Sequence, residues 1–543
     1  MNDRSALSRR SLMGGGLALG GGLALLGGCR TDNNGAGSPE PPGADASDPR
    51  PAHVPFDGPS PDLVGDGETG VPNGFRSYPD PPPSTDAVPL GLSAPVTMMI
   101  QSPTVPSVHD RNKWWQMWEA DLGTELKLDT VNSTEYTAKF QTAIAGSQLA
   151  EVTQIVSVPR QPQMLEEMFT DLTPYLSGDN ASRYPNLASF PTASWDVGVN
   201  SGKLWGIPNP RIPAGSVLMT RGDLLEQIGQ PMMPELADGE EFLAMCRELT
   251  DRDGGVFAIG QNPRSWTLPV ILESLGGPNG WRVEQDGTWT NAITTPEYER
   301  ALEIVTSMYA EGLFHPNTYT DLGSTAVWFD GGATALFSQN FSSWQNLAAK
   351  ADFPCGAVVM PQWDGGGTAA KHLGVAAYGA PVGLAKTDDE ERIDELLQVA
   401  NYLASPFGTE EYLKIKYGVR GLHYELADGQ VEITGDSADD ALIGPQYFGA
   451  QNVINLYTPG DDETTQLLFD YCSEQIPGGI ENPKRGKFSE TEVSKGSTIG
   501  RELSDLGDAI IQGRDSLSKW PAAVQKWKEK GGDQIARELA EQE

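Results

Sequence analysis

From Ala94 onward the apolar positions alternate between two periods. Val96–Gln101 is an apolar run of strand length, Leu126–Val131 alternates apolar with polar, and Val152–Val158 is again a short apolar run. Between them, Trp114, Trp115 and Trp118 recur at helical spacing over Arg111–Leu122, and Glu135–Ile144 reads as a second helix. Asp110 is the expected cap of the first helix. Strand–helix–strand–helix–strand is half of a doubly wound unit, in which ligands sit beyond the carboxyl ends of the strands. Further on, Thr295-Pro296 starts a helix whose apolar face is Tyr298, Leu302, Val305 and Tyr309, closed by Gly312. Thr387 and Glu390 have capping-box spacing ahead of Ile393, Leu396, Leu397, Ala400 and Leu403. The tail from Asp508 to Leu539 is helical in pattern, with Trp520 and Trp527 in packing positions. No internal repeat stands out.

The first 92 residues do not follow this pattern. Ser8-Arg9-Arg10-Ser11-Leu12-Met13 leads into an apolar, glycine-rich stretch from Gly14 to Leu26, and then Leu26-Gly27-Gly28-Cys29. That stretch is too short to cross a bilayer as a mature helix. Small residues before a cysteine resemble a bacterial lipobox, so residues 1–28 are expected to be a removed signal peptide and Cys29 the lipidated first residue. The paired arginines resemble the export signal for prefolded proteins. Residues 29–92 hold 14 of the 41 prolines and much Gly, Ser and Asp, a composition that cannot bury enough apolar surface to fold alone. Residues 30–54 are expected to be a spacer, and 55–92, with Phe56, Phe75 and Tyr78, an extension lying in part along the body.

Composition narrows the function classes. The 543 residues are 38% hydrophobic, enough for a real core in two or more domains. Acidic residues outnumber basic ones 74 to 38, giving a formal net charge of −36, which excludes nucleic acid as a partner because phosphate contacts need clustered Lys and Arg. Cys29, Cys246, Cys355 and Cys472 and the five histidines show no zinc spacing, and no metal or cofactor is expected. Thr250-Asp251-Arg252-Asp253-Gly254-Gly255-Val256 has two spaced aspartates but lacks the later acidic positions of a calcium loop, so it reads as a turn. No P-loop, nucleophile elbow or HExxH motif is present.

Several strings, in this order, resemble one family. They are Glu135-Tyr136-x-x-Lys139, Asp171-Leu172-Thr173-Pro174-Tyr175, Tyr184-Pro185-Asn186-Leu187 and Gly202-Lys203-Leu204-Trp205-Gly206-Ile207-Pro208. After them come Thr295-Pro296-Glu297-Tyr298, Tyr309-x-Glu311-Gly312-Leu313, Ile511-Gln512-Gly513 and Trp527-x-x-x-Gly531-Gly532. Over about 94–543 the chain resembles the family 1 extracellular solute-binding proteins, in the lipoprotein branch that serves carbohydrate ABC transporters. The resemblance implies a periplasmic-binding-protein-like type II α/β fold, two α/β lobes joined by a hinge with the ligand cleft between them. Mapped by strand order, the chain crosses near Pro208–Val217, returns near His372–Pro381 and crosses again near 435–450. Lobe 1 is then 94–209 plus 380–440, and lobe 2 is 210–375 plus 445–543.

The resemblance further implies a non-enzymatic binder that captures a di- or oligosaccharide outside the cytoplasmic membrane. Its expected partners are that carbohydrate, the permease subunits of an ABC transporter and, through the anchor, the membrane, and it is expected to be a monomer. Sugar sites combine flat aromatic faces with planar polar groups. By position the candidates are Gln101 and Ser102 at the end of the first strand, Asn209 and Arg211 at the first crossing, and Tyr378 at the return. Trp266 lies in a loop of lobe 2, and Gln339, Asn340 and Trp344 match where family members place a cleft loop. Of the paired Trp114 and Trp115, one faces the cleft and Trp114 is the candidate. Trp205 is expected to be structural. A secreted glycosidase and a binder of peptide or another solute are the competing readings.

Overall fold

The structure, a computed structural model, describes residues 48–85, 88–349, 351–434, 440–451 and 454–542. The expected signal peptide, Cys29 and the segment up to residue 47 lie outside the described residues.

Two four-stranded sheets organise the chain. Numbering only their strands, these are β1 (Val96–Ser102), β2 (Leu126–Asn132), β3 (Val152–Gln154), β4 (Ser216–Arg221), β5 (Phe257–Ile259), β6 (Thr334–Asn340), β7 (Cys355–Val358) and β8 (Val382–Leu384). The first sheet runs β8-β3-β1-β2, with β1 parallel to both neighbours and β8 antiparallel to β3. The second runs β7-β4-β6-β5, with β6 parallel to β5 and antiparallel to β4. Val96, Met98, Met99 and Ile100 of β1 are all buried, as a central strand covered on both faces requires. β3 ends earlier than its apolar run suggested. Ile155 still donates to Pro381 O (2.9 Å), but the chain then leaves the sheet toward Pro159.

Helix Lys113–Leu122 buries Trp114, Trp118 and Leu122 against the first sheet. Helix Ser133–Ala145 buries Tyr136 and Phe140, and the Tyr136 hydroxyl donates within 2.9 Å of Met99 O and 2.8 Å of Gln154 O. In the second lobe, helix Pro296–Ala310 packs with helix Ser497–Ile511, and Trp520 stacks on Tyr298 at 5.5 Å. Thr295 Oγ1 accepts from the Tyr298 N–H, and Gly312, at φ +70°, makes the left-handed turn that ends the element.

Three local expectations shift. The cap of the first helix is Asn112, whose Oδ1 accepts from Trp115 N at 2.8 Å; Asp110 lies two residues too early and faces His109 instead. Asp389 rather than Thr387 caps helix Glu390–Leu403, and Thr387 Oγ1 accepts from the Asp389 N–H one step upstream. The tail is not continuous. It breaks into Ser497–Ile511, Trp520–Trp527 and Asp533–Ala540, with Gly513 at φ +69° and a kink at Gly531. Trp520 and Trp527 are core residues.

Residues 48–54 are not a spacer. Ala52 donates to Gly178 O, Val54 to Ala188 O, and Arg50 pairs with Asp196 at 2.7 Å. The extension continues along the body, with Phe75 and Tyr78 buried against Phe407 and Tyr412. Between the sheets, residues 207–212 and 375–382 run antiparallel. Val382 and Ile207 exchange hydrogen bonds, Tyr378 donates to Asn209 O, and Arg211 donates to Ala376 O.

Candidate functional site

The parallel strands β1, β2 and β3 all end on the same side of the first sheet, and β5 and β6 end together in the second. The residues just beyond these ends, with the antiparallel pair between the sheets, outline the candidate binding cleft.

On the first lobe the floor is a pair of amides. Gln154 Oε1 accepts from Gln101 N at 3.1 Å and its Nε2 donates to Ala380 O at 3.1 Å, so Gln154 is a fixed support. The side-chain amide of Gln101 has no hydrogen bond among the described residues and stays available. Gly379 sits against both. A Cβ there would lie 3.5 Å from Gln154 Nε2 and 3.6 Å from Gln101 Nε2, and its φ of +66° also favours glycine. Next to it Tyr378 is 37% exposed, with its ring 5.1 Å from that of Tyr447. Burial, followed by the contact with Tyr378, raises the Tyr447 pKa, so Tyr447 stays protonated as a hydrogen-bonding phenol.

On the second lobe Trp266 is 36% exposed, in a turn that Asn262 holds by accepting from Ser265 N at 3.0 Å. Gln339 is half-buried at the end of β6. Asn340 commits its Oδ1 to Ser343 N at 3.1 Å as the cap of helix Phe341–Ala348, which leaves its amide nitrogen to point elsewhere. Arg264 is paired with Asp508 at 3.1 Å.

Other candidates are structural. Trp344 is 0% exposed; its indole N–H donates to Cys355 O at 3.0 Å and its ring meets Tyr471 edge-on at 5.0 Å. It follows the cap by one turn and points into the core, so it cannot stack on a ligand. Trp114 is buried against His423 at 5.6 Å, and its neighbour Trp115 donates to Leu126 O. Trp114 belongs to the buried core of the first lobe, so it offers no face to a ligand. Ser102 is buried beneath Gly444, whose added Cβ would come within 3.2 Å of the Ser102 Cβ. Asn209 spends its amide N–H groups on Gln446 O (3.1 Å) and Ala450 O (2.6 Å), tying the crossings together. Arg211 donates to Val375 O and lies 5.8 Å from the Tyr378 ring centroid. Burial lowers its pKa. It lines a separate cavity of about 900 Å³ under the N-terminal extension, away from the strand ends. Trp205 is buried and bonded to Asn200 O, as expected of a structural residue.

Residues not anticipated also stand here. Gln154 was accessible by the strand-end argument that picked Gln101. Trp328, half-buried, stacks on His315 at 3.8 Å and would touch a Cβ on Gly260, just past β5. Nothing in its spacing marked it. The Arg160 N–H donates to Glu490 Oε2 at 2.7 Å, a contact between residues 330 positions apart. Thr250–Val256 is a plain turn in which Asp251 accepts from Gly254 N. Among the described residues no three His, Cys, Asp or Glu side chains gather as a metal site.

Two α/β lobes joined by crossing segments are the architecture of the periplasmic-binding-protein-like solute-binding proteins. The sequence model of bacterial extracellular solute-binding proteins matches residues 113–438, and the chain belongs to that family. Lipoprotein LipO of Bacillus subtilis (strain 168) is 24% identical over 465 residues, covering 81% of this chain and 89% of LipO. An extracellular solute-binding protein from Bifidobacterium longum subsp. infantis superposes with a TM-score of 0.62 at 13% identity, covering 84% of this chain and 99% of that one. The N-glycan transport solute binding protein NgtS from Streptococcus pneumoniae does so with 0.61 at 15% identity, covering 83% and 98%. The expected two-lobed α/β fold is the fold observed.

Proposed function

We propose that this protein captures a di- or oligosaccharide outside the cytoplasmic membrane and delivers it to the permease of an ABC transporter, held at the membrane by lipid on Cys29. What supports the reading is the set of side chains at the crossings and beyond the strand ends. Two exposed aromatic rings, Tyr378 and Trp266, accompany side-chain amides at Gln101 and Gln339 that the fold leaves unengaged. Ring faces and amides are what pyranose C–H faces and paired hydroxyls require. NgtS, named for N-glycan transport, has the same fold and supports the ligand class. Residues 207–212 and 375–382, with the segment near 440–451, serve as the hinge between lobe 1 and lobe 2.

The test is a thermal-shift and calorimetry panel on the chain from residue 29 with Cys29→Ser, against mono- and oligosaccharides and peptides. A ligand at about 100 times its Kd adds about 2.7 kcal/mol to the folded state. Stabilisation by one sugar class, with the sugar recovered unchanged, is the expected result. Stabilisation by peptides alone overturns the ligand class, and cleavage of the sugar overturns binding without catalysis.

A further inference from the structure

We infer that the cavity beneath the N-terminal extension is a second ligand site, which takes the carboxylate of an apolar organic acid on Arg211. This goes beyond sugar capture and rests on its own observations. Arg211 donates its Nε–H to Val375 O at 3.0 Å, and its two Nη groups have no hydrogen-bond partner among the described residues. No carboxylate of the described residues stands within ion-pair distance of it. Burial lowers its pKa, and only the neighbouring Tyr378 opposes that, so no acid compensates for the lost water. A second guanidinium converges on the same backbone. Arg485 donates through Nη2 to Gly374 O, and Arg211 Nη2 lies 3.8 Å from where a Cβ on Gly374 would stand. Arg485 pairs through Nη1 with the largely exposed Glu481 at 2.6 Å, and its Nε–H is buried without an acceptor. Two guanidinium groups gathered at one residue repel each other, and an anion on Arg211 offsets both that repulsion and the missing partner. A carboxylate matches the planar fork that the free Nη groups present.

The walls indicate the rest of the ligand. Phe56, Phe75, Ile212, Pro213 and Phe407 are among the apolar residues around a volume of about 900 Å³, within the range of small-molecule sites. Much of the polar lining is already engaged. Gln451 donates to Ser189 Oγ, Asn73 Oδ1 accepts from Gly65 N, and His53 Nδ1 lies 3.0 Å from Phe190 O. The acids on the extension, Asp66 and Glu68, are exposed, and Asp66 is occupied by Glu68 N and the Thr69 hydroxyl. One free cationic fork among apolar walls suits a carboxylate on an apolar body better than a polyhydroxylated acid. The roof is built rather than loosely draped. Leu63 and Gly74 exchange backbone hydrogen bonds, Asp66 N donates to Val71 O, and Val71 and Phe75 are anchored in two different core clusters. Packed interiors leave few voids, so a space of this size under a fixed roof is a feature of the fold.

The experiment titrates the chain from residue 29, with Cys29→Ser, by calorimetry. The probes are phenylacetate and octanoate, with phenylacetamide and inorganic phosphate as controls. None is a sugar, so the result is independent of what the cleft takes. Saturable binding of at least one of the two carboxylates with a Kd below about 1 mM is expected, and none of the neutral amide. Arg211→Gln should weaken that binding about tenfold. It should not lower the melting point, because it removes a buried charge that has no ionic partner. Glu481→Gln changes an exposed side chain and frees Arg485 of its competing carboxylate, so it should tighten binding about twofold. Should Arg211→Gln fail to fold, the sign of the Glu481→Gln effect decides. Absence of binding by both carboxylates, equal binding of phenylacetamide, preference for phosphate, or affinities unchanged in the variants overturns the site.

Discussion

Trp266 and Trp344 carry the same side chain in opposite settings, and each setting predicts its own loss. Trp266→Ala removes an exposed ring held by a capped turn. Ligand affinity should fall about tenfold, with an unchanged melting point, by calorimetry and thermal shift. Trp344→Ala removes a ring packed by Phe341 and Tyr471 and leaves Cys355 O without its donor. It should cost about 3–5 kcal/mol in denaturant unfolding. Residue type alone could not separate the two, since both stand near a strand end in sequence. The deciding fact is which face of helix Phe341–Ala348 turns inward, and that depends on partners more than 100 residues away. Asn209 went astray for a related reason: its position was legible, but the carbonyls that consume its amide belong to a segment more than 230 residues on.

Between elements, buried charge and capping carry the joins. Lys371 Nζ donates to both oxygens of Glu273 at 2.8 and 2.9 Å, and both side chains are buried. Glu273 also accepts from the His372 N–H at 2.8 Å, which fixes the approach to the return crossing. Glu273→Gln should cost about 3–5 kcal/mol, and Glu273→Leu with Lys371→Met should recover much of that in the same unfolding assay. At the C-terminus, Glu538 of helix Asp533–Ala540 accepts from Ser489 Oγ, Thr491 Oγ1 and Thr491 N. Burial opposes ionisation, but these hydrogen bonds outweigh it and bring the carboxyl from its ordinary 4.5 down to about 2. A depressed native pKa means the unfolded chain takes up the proton first. The stabilisation is complete above pH 4.5 and is lost as pH falls toward about 2. Glu538→Gln should flatten that part of the acid-unfolding profile, and an unaltered profile would falsify the assignment. The elements themselves were largely legible, because apolar period and caps are local signals. Cap positions slipped by two residues where a second side chain competed, and the tail broke where glycines interrupted an otherwise helical pattern.

For the whole molecule, the α/β order and the string of family motifs were sufficient to anticipate two lobes. The extension was not legible to the same degree, because a proline-rich composition describes a chain that cannot fold alone, not one that finds a finished surface to lie on. The proposed lipid attachment at Cys29 predicts that Cys29→Ser moves the protein from the membrane fraction to the soluble fraction, with its proposed ligand binding intact. The first described contact of the extension with the body, at Arg50, also sets a distance. A lipid on Cys29 would be separated from it by only the 20 residues 30–49 rather than by the whole proline-rich stretch. A segment of that length reaches about 75 Å at most. A molecule held in this proposed way would patrol a disc of about that radius around its own lipid, and its meetings with a permease would be set by motion in the plane of the membrane rather than by diffusion in three dimensions.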